Sequence, residues 1–442
     1  MYISINPMVV VRKEYFGGLI YNVQTPRSEY FIINKSCLKV LKNCNGKTTI
    51  SYLKNRYPDK YEFIENCVKE RICILHSHPL EGKHVTSNPN IILGRLSAPF
   101  FVNLMPTMKC NNFCNFCYNP DKIHENQILS LNEYIRLFKE MEKIGVCLID
   151  ITGGEPFLYE GISPLLEYLN TKPFKINIVS NGRMLKNFLD LLKRIDYTHI
   201  SLNISLHGYG ETHDNIVGVK GAFDEINRNI GMLKKLKVPF GISTVITTMN
   251  MNNFEIFMNY LYKYNIKLWQ LLYFVKIGRG LSENVSELKI SEYVEILNYI
   301  KSLNEKKYVS FFKIYPEYPL RWCYEDLNIP TDPFGKEFFS GCLLKIQLDI
   351  MSDGKIIPCR HLPSDFVCGD VRENSLLETW ESQKFKKIQD RTSITIDACS
   401  NCTWEPYCKH QCLAYVIANG GNFKEPDKRC PNIKKLKCET NQ

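Results

Sequence analysis

The 442-residue sequence has no apolar run long enough to cross a bilayer. Its first residues, Met-Tyr-Ile-Ser-Ile-Asn-Pro, lack the basic stretch and long apolar core of a secretory signal. There is also no dense block of Lys and Arg, although the net charge is +10. These absences predict a cytoplasmic protein with no membrane partner and no nucleic-acid partner. Much of the positive excess lies before residue 90, where 13 Lys and Arg stand against 7 acids. It is spread out, as on a solvated basic face.

Cysteine, by contrast, is plentiful. Eighteen cysteines in a cytoplasmic protein argue for metal ligation over disulfides. Ten of them fall into two spaced sets. Cys110, Cys114 and Cys117 stand in the run Cys-Asn-Asn-Phe-Cys-Asn-Phe-Cys. Three thiolates so close together can hold three irons of a four-iron cluster and leave the fourth open to bind and reduce a small molecule. A structural zinc wants four ligands, and no fourth Cys or His follows at finger spacing. The second set starts at Cys342. Eleven residues lead to Gly354, and four more to Cys359. Then come Cys399-x2-Cys402-x5-Cys408-x3-Cys412, and finally Cys430. A zinc ribbon on Cys399, Cys402, Cys408 and Cys412 is the competing reading; it leaves Cys342, Cys359 and Cys430 unexplained. Cys37, Cys44, Cys67 and Cys73 lie in or just after apolar helical patterns and read as small buried hydrophobes. Cys147 and Cys438 have no motif.

The chain divides into four stretches. Residues 1–80 read as a small winged helix-turn-helix. Its strands are Met8–Val11, Gly18–Val23 and Glu29–Asn34, with a turn at Thr25–Ser28. Its helices are Ser36–Cys44, Thr49–Tyr57 and Tyr61–Arg71. Residues 81–95 read as a linker, the Pro- and His-rich character beginning at His76. Across 96–320, strands Phe100–Leu104, Cys147–Thr152, Lys175–Ser180, His199–Ser205, Gly241–Thr247 and Trp269–Val275 alternate with helices such as Leu131–Ile144, Phe223–Leu236 and Phe254–Tyr264. A last helix aligns Ile290, Tyr293, Leu297 and Ile300 on one face. Short Ile- and Val-rich strands between helices predict a parallel α/β architecture, and six units fall short of a full eight-fold barrel. Residues 321–442 are rich in Gly, Pro and Cys, show no obvious large core, and would need metal staples.

Motifs recur where a parallel sheet places its chemistry, at the carboxyl ends of the strands. The cysteine run follows the first strand. The second ends in Gly153-Gly154-Glu155-Pro156, the third in Ser180-Asn181-Gly182, the fourth in Ser205-Leu206-His207-Gly208. The two glycines would let backbone approach a ligand closely, and Glu155 offers a carboxylate.

The Cys-x3-Cys-x2-Cys run, followed in order by these strand ends, resembles the radical S-adenosylmethionine (SAM) enzymes. The resemblance implies a partial (β/α)6 TIM-like barrel. A [4Fe-4S] cluster on Cys110, Cys114 and Cys117 would bind SAM. Gly153, Gly154 and Glu155 would hold its amino group. Ser180, Asn181, Ser205 and His207 would contact its ribose and carboxylate, and Phe116 its adenine. Val217 stands where many relatives have an arginine on the carboxylate, and Lys220 is the substitute. The family's chemistry is reductive cleavage of SAM to a 5′-deoxyadenosyl radical that abstracts hydrogen. No acid or base residue is named, and the catalytic side chains are unknown.

The second cysteine set is similar to the SPASM extension. That implies two auxiliary iron–sulfur clusters, expected to be [4Fe-4S]. The outer would sit on Cys399, Cys402, Cys408 and Cys430, the inner on Cys342, Cys359 and Cys412. Cys323 or Cys368 could supply the inner fourth ligand, or that iron stays open. The run Arg12–Asn22, then Ile33-Asn34 and the helix start at Gly46–Thr49, resembles the PqqD-like element that binds leader peptides of ribosomally made, modified peptides. Val275–Gly280 also recurs in such enzymes. The whole resembles sactipeptide-type maturases. It implies a precursor-peptide partner, an electron donor such as flavodoxin or ferredoxin, and a Cys thioether product. Carbon–carbon crosslinking and sulfatase-maturase-like or small-molecule oxidoreduction are the alternatives.

Overall fold

The computed structural model describes residues 1–24, 30–119, 127–282, 285–307, 313–316, 342–402 and 405–430. The turn expected at Thr25–Ser28, and Cys323 and Cys438, lie outside them. No helix among the described residues is long and apolar enough to cross a membrane.

The N-terminal elements are β1 (Tyr2–Ile5), β2 (Val9–Glu14), β3 (Gly17–Asn22), β4 (Tyr30–Ile33), α1 (Lys35–Leu41), β5 (Asn45–Thr49), α2 (Ile50–Arg56), α3 (Tyr61–Lys69) and β6 (Cys73–His76). Two three-stranded sheets form, β5-β1-β6 and β2-β3-β4. Strand alternation gives β2 and β3 two buried faces. Val9, Val11 and Ile20 pack on this domain's own helices, with Cys44, Cys67 and Cys73. Val10, Leu19 and Tyr21 pack instead against the central core. A buried ion pair fixes the join. Arg12 Nε donates to Glu14 Oε1 (2.6 Å), and its Nη1 to the carbonyls of Pro99 (3.0 Å) and Gly145 (2.9 Å). Glu14 Oε2 accepts from the Ser97 amide at 2.8 Å. The expected linker is irregular but pinned: Lys83 bridges to Ile5 and Thr86 to Arg12.

The centre is one ten-stranded sheet. Its strands are β7 (Phe101–Thr107), β8 (Leu148–Gly153), β9 (Lys175–Ser180), β10 (Ile200–Ser205), β11 (Gly241–Ile246), β12 (Leu268–Tyr273), β13 (Lys313–Pro316), β14 (Gln347–Ile350), β15 (Lys355–Ile357) and β16 (Gly369–Asp370). Their order is β13-β12-β11-β10-β9-β8-β7-β14-β15-β16. Every pairing from β13 through β14 is parallel. The helices between are α4 (Leu131–Ile144), α5 (Ile162–Leu169), α6 (Leu189–Arg194), α7 (Glu211–Val217), α8 (Ala222–Lys235), α9 (Phe254–Lys263) and α10 (Ile290–Lys307). Helix α4 shows why sequence and structure agree here. Ser130 and Glu133 form a capping box, Gly145 ends the helix at φ +78°, and Tyr134, Leu137, Phe138, Met141 and Ile144 line the buried side. The six predicted strands are all present, and the parallel sheet gains β13 at one edge and β14 beside β7.

The C-terminal stretch adds α11 (Leu376–Glu381), α12 (Gln383–Gln389), α13 (Glu405–Cys408) and α14 (Leu413–Ala418). It is less detached than its composition predicts. Ile346, Leu348, Ile350, Ile356, Val371, Trp380 and Phe385 join the central core.

Candidate active site

Backbone frames the first cysteine loop on three sides. The Phe113 and Asn115 amides donate to Val217 O (2.8 Å) and Ile216 O (3.0 Å), so the end of α7 forms one wall. The Gly154 and Glu155 amides donate to Thr107 O (2.9 Å) and Lys109 O (2.7 Å), forming a second. The third wall is the run after β12. There the Arg279 amide donates to Cys117 O (2.9 Å) and its Nε to Cys114 O (3.1 Å). Its guanidinium covers the Phe113 ring, 4.0 Å from the centroid. Gly278, at φ +54°, permits this approach, because a β-carbon there would strike the carbonyls of Tyr118 and Cys117. Arg183 adds a tie, with Nη1 on Asn111 O (2.5 Å) and Nε on Glu225 Oε2 (2.6 Å).

Cys110 is exposed, and Cys114 and Cys117 are half-buried. The Asn112 amide (3.4 Å) and Asn181 Nδ2 (3.8 Å) point at Cys110 Sγ. Such donors favour a thiolate over a thiol. Burial, then Cys117 and Cys110 nearby, push the Cys114 thiol well above its ordinary range, with Arg279 opposing. Three soft sulfurs with outer-shell N–H donors suit an iron–sulfur cluster.

The glycines of Gly153-Gly154 also admit a close backbone contact. A β-carbon on Gly153 would lie 2.6 Å from Thr107 O, and one on Gly154 would collide with the carbonyls of Lys109 and Met108. They let β8 close on the cysteine loop. Glu155 is fully buried and accepts from Ser180 Oγ (2.9 Å), the Asn181 amide (2.7 Å) and the Phe157 amide (3.2 Å). Burial pushes its pKa up to about 7 against those donors. Glu155 therefore braces the ends of β8 and β9.

Ser205 closes β10, half-buried. Phe116 meets the His207 ring edge-on at 4.8 Å. His207 Nδ1 accepts from the Val245 amide (3.2 Å), and its own amide donates to His213 Nδ1 (3.1 Å). Burial holds both imidazoles neutral: His213 falls to about 4 and His207 well below its ordinary value. Val217 is buried and acts through its carbonyl. Lys220 is exposed in the turn where Asp214 accepts the Gly221 (2.6 Å) and Phe223 (2.8 Å) amides.

The second cysteine set separates into two groups. Cys342, Cys359 and Cys412 pack around Leu344, Ile357, Leu362, Ile388, Leu413 and Ala414. Burial, Asp349, Cys412 and Cys342 drive the Cys359 thiol far up. Burial, then Cys412, raises Cys342 to about 12. Burial, then Cys430 and Cys402, raises Cys399 to about 11; burial, then Cys430 and Cys399, raises Cys408 to about 12. Cys412 thus packs on the same apolar cluster as Cys342 and Cys359. Cys368 packs on the same apolar cluster, with Sγ directed at Phe366 O (3.2 Å).

Sequence reasoning missed several residues. Gly278 and Arg279 lay in a run noticed without a role. Arg183 follows Ser-Asn-Gly directly. Asp150, Asp349 and Arg360 meet between the two cysteine sets. Asp150 and Asp349 lie on either side of Asn103 in register across β8, β7 and β14. Burial pushes both up to about 6, opposed by Arg360. A carboxylate in an otherwise apolar strand was the available signal.

In this parallel α/β core, with its three-cysteine loop after the first strand, residues 104–261 match the model of the radical SAM superfamily. Residues 342–403 match the SPASM iron–sulfur cluster-binding domain. The chain is thus a radical SAM enzyme with a SPASM domain, and the two domains bind SAM and iron–sulfur clusters. The AdoMet-dependent heme synthase of Methanosarcina barkeri is 23% identical over 77% of this chain and 98% of its own length. The subtilosin biosynthesis protein AlbA of Bacillus subtilis is 22% identical over 92% and 91%. Streptococcus suis SuiB, solved with its precursor peptide SuiA, superposes with a TM-score of 0.79 at 18% identity, over 97% of this chain and all of SuiB.

Proposed function

We propose that this enzyme modifies a ribosomally made precursor peptide by radical hydrogen abstraction and oxidative crosslinking, with a Cys thioether as product. The observation that carries the reading is the N-terminal sheet. Its edge strand β4 exposes Phe31 (36%) and Ile32 (41%), while the sheet's inner face is fixed to the barrel through Arg12 and Glu14. An exposed edge beside a helical domain suits leader binding by strand addition, and the rigid join would deliver the following segment to the barrel. SuiB, solved bound to a precursor peptide, and AlbA, named for bacteriocin biosynthesis, support the same reading.

Bound SAM, cleaved reductively at its sulfonium, supplies a radical that takes hydrogen from an unactivated C–H bond. The chain's own residues set the geometry. Cys110, Cys114 and Cys117 hold the cluster, and Asn112 and Asn181 support the Cys110 sulfur. Gly153–Glu155, Ser180 and Asn181 form a ledge beside it, and Phe116 and His207 an aromatic wall. Flavodoxin or ferredoxin supplies electrons. The outer and inner cysteine groups each hold an auxiliary cluster. A small-molecule oxidoreduction is the second reading, favoured by the heme synthase likeness.

Co-expression with candidate precursor peptides and mass spectrometry tests the proposal. A loss of two hydrogens per link is expected, and a thioether is located by fragmentation. An unchanged peptide mass in every case removes the reading.

A further inference from the structure

The C-terminal stretch plants one cation inside the barrel. Cys359 follows β15, and the β14–β15 hairpin lies against β7. Arg360, the next residue, is carried over the polar row that Asp349, Asn103 and Asp150 make across three adjacent strands. The Arg360 amide donates to Asp349 Oδ2 at 2.5 Å, and Asn103 Nδ2 donates to Asp349 Oδ1 at 2.5 Å. Its guanidinium carbon lies 5.6 Å from the centre of the Tyr118 ring. His361 meets that same ring edge-on at 4.7 Å. Tyr118 directly follows Cys117. The residues next to a cysteine of each set therefore interlock, with Arg360 at the centre. Its Nε is buried without a hydrogen-bond partner among the described residues, while Asp349 and Asp150 face the cation.

A cluster's reduction potential depends on net charge, hydrogen bonding and solvent exposure around its sulfurs. At low dielectric a fixed charge beside a ligand acts strongly. A positive neighbour stabilises the reduced, more negative state and raises the potential; a negative neighbour lowers it.

We propose that Arg360 and Asp349 form a charge couple that sets the reduction potential of the inner auxiliary centre, Arg360 holding it up and Asp349 holding it down. The proposal rests on the reading that Cys342, Cys359 and Cys412 hold an iron–sulfur cluster. It makes Arg360 and Asp349 positioning residues for that centre, acting on its electron affinity and not on substrate.

The test is an EPR-monitored redox titration of the anaerobic holoenzyme, without substrate. The wild type is compared with Arg360→Gln, Arg360→Lys and Asp349→Asn. The inner centre's signal is expected to move to lower potential in Arg360→Gln and to higher potential in Asp349→Asn, and to stay near the wild type in Arg360→Lys. A merely structural role would broaden or erase the signal in the same sense in both neutralised variants, or move both the same way, and would overturn the proposal. Unmoved potentials would also overturn it. Iron analysis separates this failure from that of the underlying reading. Near twelve irons per chain with the wrong shifts defeats the couple alone. About eight, with no signal lost in Cys359→Ala, removes the inner centre and the proposal with it.

Discussion

The two cysteine sets are held in opposite ways. The first is gripped by backbone from α7, β8 and the run after β12, with Arg183 and Arg279 on its carbonyls. The second is strung from Cys342 to Cys430 over short helices and turns around six small or aliphatic residues. The first scaffold is backbone wrapped around a loop; the second is a small apolar cluster with thiols at its edge.

The sharpest break comes from Cys114→Ala. It should abolish SAM cleavage, by more than the roughly 100-fold typical of losing an outer-shell partner. The melting temperature should barely change, because the frame around the loop is backbone. Production of 5′-deoxyadenosine, measured by chromatography, checks it, and retained production contradicts the assignment.

Metal removal should act in the opposite direction. Anaerobic chelation should lower hydrogen-exchange protection across residues 396–430 by more than about tenfold, or about 1.4 kcal/mol. Strands β9 and β10 should keep theirs. Equal loss in both regions would erase the distinction drawn between the two sets.

The contrast was also visible in how much the sequence disclosed. Strand β9 and helix α4 were legible to the residue, because buried Ile–Val alternation, a capping box and a terminal glycine agree there. Strands β1, β5 and β6 were not. Gly46–Thr49 reads as the start of a helix, whereas Asn45–Thr49 forms β5, with Gly46 at φ +82°, and the helix begins at Ile50. Strand β14 falls in the stretch that reads as a Gly-, Pro- and Cys-rich tail, whose composition hides four consecutive buried residues. At the site, spacing alone disclosed the thiol groupings. It could not disclose that Gly153 and Gly154 admit neighbouring backbone, or that Arg279 clamps Cys114, since both depend on segments far apart in the chain.

The brace beneath the first loop should show in pH dependence. Glu155 titrates near 7 in the fold against an ordinary 4.5, so folding favours its protonated form. That contribution is complete below about pH 4.5 and is lost as pH rises through about 7, amounting to about 3 kcal/mol. Glu155→Gln should flatten this slope in denaturant titrations of the metal-free protein. A slope as steep as the wild type would mean that another group carries it.

Gly278→Ala should cost about 2 kcal/mol or more, since it adds left-handed strain to a collision with two carbonyls. The damage should be selective. Iron would fall at the SAM-binding loop while the auxiliary signals persist by EPR. Loss of all signals together would show that the loop and the tail fold as one unit.

Lys220→Ala should have the smallest effect, within about 0.5 kcal/mol on both stability and SAM affinity. The side chain is exposed in a turn already organised by Asp214, and Val217, the position where the resemblance would place an arginine, is turned into the core. With Ser180 buried at the end of β9 and Asn181 pointing at Cys110, the carboxylate of SAM would then depend on hydrogen bonds from that ledge without an ion pair. Calorimetric titration of SAM into the reconstituted enzyme separates the possibilities. An unchanged Kd in Lys220→Ala beside a weakened one in Asn181→Ala is expected. A tenfold loss in Lys220→Ala would mean that the turn closes over the ligand when SAM binds, and that the exposed lysine had the arginine's role after all.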